Sequence, residues 1–134
     1  MLGSANIIAF VPIKDSQKSR VFYEGILGLR FVQDDGFALV LDANGIMVRA
    51  VKMEDFAPAQ FTVLGWEVCH IENVVRELGK KGVHFEIFAF FKQDELGIWT
   101  TPSGDKVAWF KDPDGNTLSV SQHAAGDAPS KSAS

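Results

Sequence analysis

Arg49 is the only charge in the apolar run 46–51. A lone guanidinium there suits a bidentate clamp on a carboxylate, phosphate or sulfonate. It suits equally well an exposed ion pair with Asp42 or Asp35, because a buried Arg is rare unless paired. Trp109 could stack on a planar ligand, or fill a core or a dimer interface. His123 could move a proton near neutral pH, but it stands where a strand frays into the C-terminal tail and reads better as solvated. Glu67 reads as a pocket carboxylate or, better, as a rim charge. Cys69 precedes a helix start that would stabilise a thiolate. No base is visible beside it, and most such cysteines are small buried hydrophobes. His70, His84 and His123 have no metal-ligand spacing. The chain has no phosphate loop, nucleophile elbow or dinucleotide fingerprint.

Positioning these side chains falls to two copies of one unit. Gly28-Leu29-Arg30-Phe31 recurs as Gly82-Val83-His84-Phe85, each time after an amphipathic helix and before a strand. Ile71, Val74, Val75 and Leu78 make one apolar helix face, and Gly82 falls where a helix ends. The first helix is expected over 15–28, capped by Asp15 or Ser16, with Val21, Phe22 and Ile26 inward. Strands are expected at 7–13, 29–33, 37–42 and 46–53 in the first copy, with Asn44-Gly45 as a two-residue hairpin turn. In the second copy they are expected at 61–68, 83–88, 96–101, 106–111 and 117–122. The segment 88–95 forms an extra loop, whose Phe88, Phe90 and Phe91 suit a lid or an interface.

The 134 residues, 46% hydrophobic and 22% charged, suit one compact globular unit. The net charge of −4 argues against nucleic acid and gives no support for an anionic membrane surface. Cys69 is the only cysteine, so no intrachain disulfide forms, which suits a reducing, cytoplasmic setting. The apolar start, 1–11, lacks a basic n-region and reads as a strand rather than a signal peptide. The small, polar stretch 124–134 reads as a disordered tail.

One motif is more specific. In Asp112-Pro113-Asp114-Gly115-Asn116 the Asp112 side chain can accept from a backbone N–H two residues on, Pro113 presets φ, and Gly115 supplies a left-handed residue. With Asp15, Phe22-Tyr23 and Leu27-Gly28-Leu29, this pattern resembles the vicinal-oxygen-chelate superfamily of glyoxalase I, bleomycin-resistance proteins and extradiol dioxygenases. The resemblance covers about residues 6–122. It implies an α+β fold in which two βαβββ modules form a curved mixed sheet with a concave cavity, helices on the convex side. The single domain would span 1–123, with module one at about 5–53 and module two at about 61–122. Family members usually pair, which implies a homodimer.

The family's best-known chemistry uses a divalent metal. The resemblance puts the ligand positions at Ile8, near Arg49, at Val63 and at Ser119. None is a credible ligand: Ile8 and Val63 have no donor atom, and Arg49 stays protonated. No cofactor is therefore expected. Strand alternation phased from those positions puts Ile8, Phe10, Arg49, Val63, Trp109, Ser119, Ser121 and His123 toward the cavity. The first expectation is a metal-free protein that binds a small organic molecule in an apolar, aromatic cavity. The alternative is a lyase, isomerase or dioxygenase-like enzyme of the same superfamily, possible with or without metal.

Overall fold

A computed structural model describes residues 1–124, so most of the expected disordered tail lies outside the described residues. The fold is α+β, with two four-stranded mixed sheets and few helices. Residues Met1–Pro58 and Asp112–Asn116 form one compact unit; Ala59–Lys111 and residues 117–124 belong to a second.

In the first unit a short 3-10 turn, Leu2–Ser4, precedes β1 (Ile8–Ile13). The strand thus starts later than the apolar composition of 1–11 suggests. Helix α1 (Ser16–Arg20) starts at Asp15, whose carboxylate accepts from the Lys18 N–H at 3.1 Å. It continues as a π-helical turn, Val21–Ile26, in which the Leu27 N–H reaches back five residues to the Phe22 carbonyl at 2.9 Å. This wider turn changes the buried face. Phe22 and Tyr23 go inward, while Val21 is 65% exposed, contrary to a regular 3.6-residue period. Strands β2 (Arg30–Asp34), β3 (Ala38–Ala43) and β4 (Ile46–Lys52) follow, in the sheet order β1-β4-β3-β2. Only β1–β4 is a parallel pair. Val11, Ile13, Leu39, Leu41, Val48 and Ala50 are buried on one side of this sheet.

The segment Asp112–Asn116 belongs to this first unit although it links two strands of the second. Asp112 Oδ1 accepts from the Asp114 and Asn116 N–H groups, each at 2.9 Å, closing the expected Asx turn. Its Oδ2 accepts from the Tyr23 hydroxyl at 2.6 Å and from Asn116 Nδ2 at 2.8 Å. Asn116 Nδ2 also donates to the Pro12 carbonyl, and Asp114 Oδ2 accepts from the Lys14 N–H and the Ser19 hydroxyl. Ser19, Tyr23, Asp112 and Asn116 are all buried. Burial, reinforced by Asp112, holds the Tyr23 phenol far above its ordinary pKa, so it stays a donor. The motif that carries the family resemblance is thus a clasp between the turn, the first strand and the first helix.

The second unit contains β5 (Thr62–Glu67), α2 (Ile71–Lys80), β6 (Trp99–Thr100), β7 (Lys106–Lys111) and β8 (Thr117–Gln122), in the order β5-β8-β7-β6. Ile71 and Val75 of α2 are buried, as are Ala108, Phe110, Leu118 and Val120, and Trp66 stacks on Phe110 at 6.5 Å. The strand expected at 83–88 is only an isolated bridge, Phe85 to Phe110. The reason is Gln93. Its side chain accepts from the Phe88 N–H and donates to the Glu86 and Gly97 carbonyls, each at 2.8 Å. The Glu86 N–H still reaches the Trp109 carbonyl of β7 at 2.8 Å, but the Glu86 carbonyl and the Phe88 N–H are satisfied by one amide side chain instead. The strand expected at 96–101 shrinks to β6 for the same geometry, with Gly97 among the groups held by Gln93. No helix of the described residues is long and apolar enough to cross a membrane.

Candidate functional site

The less covered face of the first sheet carries three of the expected ligand-contacting residues. Ile8 pairs with Met47 and Phe10 with Arg49 in the parallel β1–β4 register, so their side chains share a face. Ile8 is 46% and Phe10 61% exposed. Arg49 does not offer a free guanidinium. Its Nη2 donates to Asp35 Oδ2 at 2.9 Å, with the two side chains 25% and 27% exposed. Asp35 is one of the two partners expected if Arg49 is a plain ion-pair residue. Its carboxyl is held below the usual carboxylate range, first by the Phe37 N–H, then by Arg49 and by the Ala38 N–H. An anion would have to compete with Asp35 for Arg49.

The second sheet gathers Trp109, Ser119 and Ser121. Trp109 pairs with Ser119, and Val107 with Ser121, so all four side chains share a face and are half-buried. Gly65 pairs with Ser119 on β5. A β-carbon at Gly65 would sit 2.8 Å from Ser119 Oγ, so a side chain there would displace that hydroxyl. Val63 falls at a break in the β5–β8 register, between Thr62 and Leu64. His123 lies just past β8 and is exposed, as are His70 and His84.

What sequence reasoning did not assemble is the aromatic platform around Trp109. Trp99 pairs with Val107, which puts its ring on the Trp109 face at a centroid distance of 6.2 Å. Phe91 stacks on Trp99 at 4.3 Å and on Trp109 at 5.1 Å, and Phe88 meets Trp109 edge-on at 5.4 Å. The three-Phe segment 88–91 was the available signal. Its partners are residues eight to twenty-one positions away, beyond the reach of periodicity.

No family model matches the chain, and no curated protein matches it. Solved structures do match. A glyoxalase/bleomycin resistance protein/dioxygenase superfamily member from Sphaerobacter thermophilus is 20% identical, with TM-score 0.71, over 92% of this chain and 100% of that one. Lactoylglutathione lyase from Agrobacterium tumefaciens is 14% identical, with TM-score 0.72, over 94% and 98%. TnmS3, an antibiotic binding protein from Streptomyces, is 22% identical, with TM-score 0.71, over 92% and 99%. The chain has the vicinal-oxygen-chelate fold.

The residues that the resemblance assigns to metal-ligand positions make a poor donor set. Ile8 and Val63 have no donor atom, and Arg49 is a cation already bound to Asp35. Among the described residues, no group of three or more His, Cys, Asp or Glu side chains could hold a metal ion. A second feature of the chain is a depression of about 360 Å³ in the first unit, lined by Val21, Phe22, Ile26 and Pro113 among others. Its surface is mainly apolar, with Gln17 and Lys18 as its polar lining residues. The aromatic platform, flanked by two serine hydroxyls, has both stacking area and polar groups.

Proposed function

We propose that this chain is a metal-free small-molecule-binding protein whose ligand is a planar aromatic compound stacked on Trp109. One observation carries the reading: Trp99 and Trp109 lie on one sheet face, 6.2 Å apart and 25° from parallel, beside Ser119 and Ser121. Indole faces attract flat π-systems, and hydroxyls can bond a ring heteroatom or substituent. The antibiotic-binding relative of the same fold is consistent with a binding role. So is the lack of a donor atom at Ile8 and Val63, two of the positions that the resemblance assigns to metal ligands. The protein acts as a homodimer in the cytoplasm on this reading.

The test is calorimetric titration with three neutral probes, benzamide, quinoline and acridine, against the wild type and Trp109→Ala. Saturable binding of acridine is expected, weakened about tenfold or more in the variant, equivalent to about 1.4 kcal/mol. Equal affinity in the variant, or no saturable binding, would reject the proposal.

A further inference from the structure

Trp109 already carries a stacked ring in this conformation. The Phe91 ring lies 5.1 Å from it and only 5° from parallel, and 4.3 Å from Trp99 at 29°. One phenyl ring therefore rests against both indoles, where a flat ligand would have to lie. We infer that Phe91 is a built-in occupant of this slot and that the ligand enters by displacing it. The inference rests on the aromatic platform being the binding site.

The backbone around Phe91 divides into a pinned stem and a lightly tied tip. Gln93 holds the stem through its three bonds at 2.8 Å, and Asp94 Oδ1 accepts from the Leu96 and Ile98 N–H groups at 2.9 Å each. In the tip, residues 88–91, the described backbone bond runs from the Phe91 N–H to the Phe88 carbonyl at 3.1 Å. The tip is otherwise held by the Phe88 N–H on Gln93 at its first residue and by ring contacts, Phe90 to Phe91 at 4.6 Å, Phe88 to Phe90 at 5.7 Å and Phe88 to Trp109 at 5.4 Å. Phe90 is already 77% exposed, so the tip carries a solvent-facing ring before any ligand arrives. Swinging Phe91 out breaks stacking and leaves the Gln93 stem intact.

The exchange also selects the ligand class. A single ring replacing Phe91 trades one phenyl–indole stack for another and gains nothing. A fused system of two or three rings covers both indoles more fully than one phenyl, and that surplus drives displacement. The ligands are therefore fused polycyclic aromatics rather than monocyclic ones.

The experiment compares wild type, Phe91→Ala and Phe91→Leu. Acrylamide quenching of tryptophan fluorescence is measured without ligand, and acridine and benzamide are titrated by calorimetry. Removing the occupant should increase quenching and tighten acridine binding by about two- to tenfold, the equivalent of one aromatic pair. Phe91→Leu keeps apolar bulk and should shift both readings the same way by less, which guards against a poorly folded alanine variant. Benzamide should bind the wild type far more weakly than acridine. Weaker acridine binding in both variants would make Phe91 a wall of the site, overturning the inference while leaving the binding reading intact. Unchanged quenching in Phe91→Ala would also overturn it. No saturable acridine binding by any of the three proteins would overturn both.

Discussion

Single side chains decide how the resemblance motif works. Asp112 collects the Tyr23 hydroxyl, the Asn116 amide and two backbone N–H groups. Tyr23→Phe removes one bond to a buried carboxylate and should cost about 1.5–3 kcal/mol of stability by urea denaturation. A loss near zero would show that the clasp does not depend on the phenol. Asp34 and Asp35 are tuned by simpler partners. Lys52 is the leading cause for Asp34, and the Phe37 N–H for Asp35; both carboxyls are held below their usual range. A carboxylate depressed on folding adds stability that is fully present above its unfolded pKa of about 3.9 and is lost as pH falls through the lower folded value. The stability gap between wild type and Asp35→Asn should therefore be constant from pH 7 down to about 5 and narrow below about 4. Arg49→Leu should raise the Asp35 pKa only part of the way, because the Phe37 and Ala38 N–H groups remain. Carbon-detected NMR titration reads this directly, and an Asp35 pKa at its ordinary value in that variant would contradict it.

Elements are set by their ends. Helix α2 closes with the Gly82 N–H on the Gly79 carbonyl at 3.1 Å and the Val83 N–H on the Leu78 carbonyl at 3.0 Å, a Schellman motif. Gly82 has φ +94°, and a β-carbon there would meet nothing within 4 Å. Gly82→Ala should then cost about 1–2 kcal/mol from backbone strain alone, without a steric clash. A thermal melt showing no loss would mean that the helix end rearranges. Elements that depended on non-local partners did not follow local pattern. The segment 83–88 has strand composition, but Gln93 takes the Glu86 carbonyl and the Phe88 N–H. The first helix has the right cap and length, but its π-turn moves Val21 outward and Tyr23 inward.

For the whole molecule, exposed apolar residues bear on assembly. Ile7 and Phe37 of the first unit and Phe61 and Phe90 of the second are each more than two-thirds exposed. Light scattering at micromolar concentration should give a dimer mass, and a monomer mass would remove the homodimer from the proposal. Metal chemistry is tested at the same scale. Dialysis against a chelator should leave acridine affinity unchanged. Stoichiometric transition metal retained after that dialysis, measured by mass spectrometry, would reverse the metal-free reading.

The sequence by itself determined what local chemistry can dictate. Asp15 caps α1, Asn44-Gly45 turns β3 into β4 with positive φ at both residues, and Asp112 folds its own turn. The α2 face and the element order of the first module are equally local, because periodicity and turn chemistry act over four or five residues. Tertiary structure decided the rest. Arg49 had two eligible carboxylates, and only the bulged β2–β3 pairing and the loop after it chose Asp35. Trp109 could be assigned a face by alternation, but its partner could not: Phe91 reaches it from a loop eighteen residues earlier, and Trp99 from a neighbouring strand. Such contacts depend on where the chain crosses itself, a quantity that residue spacing does not encode.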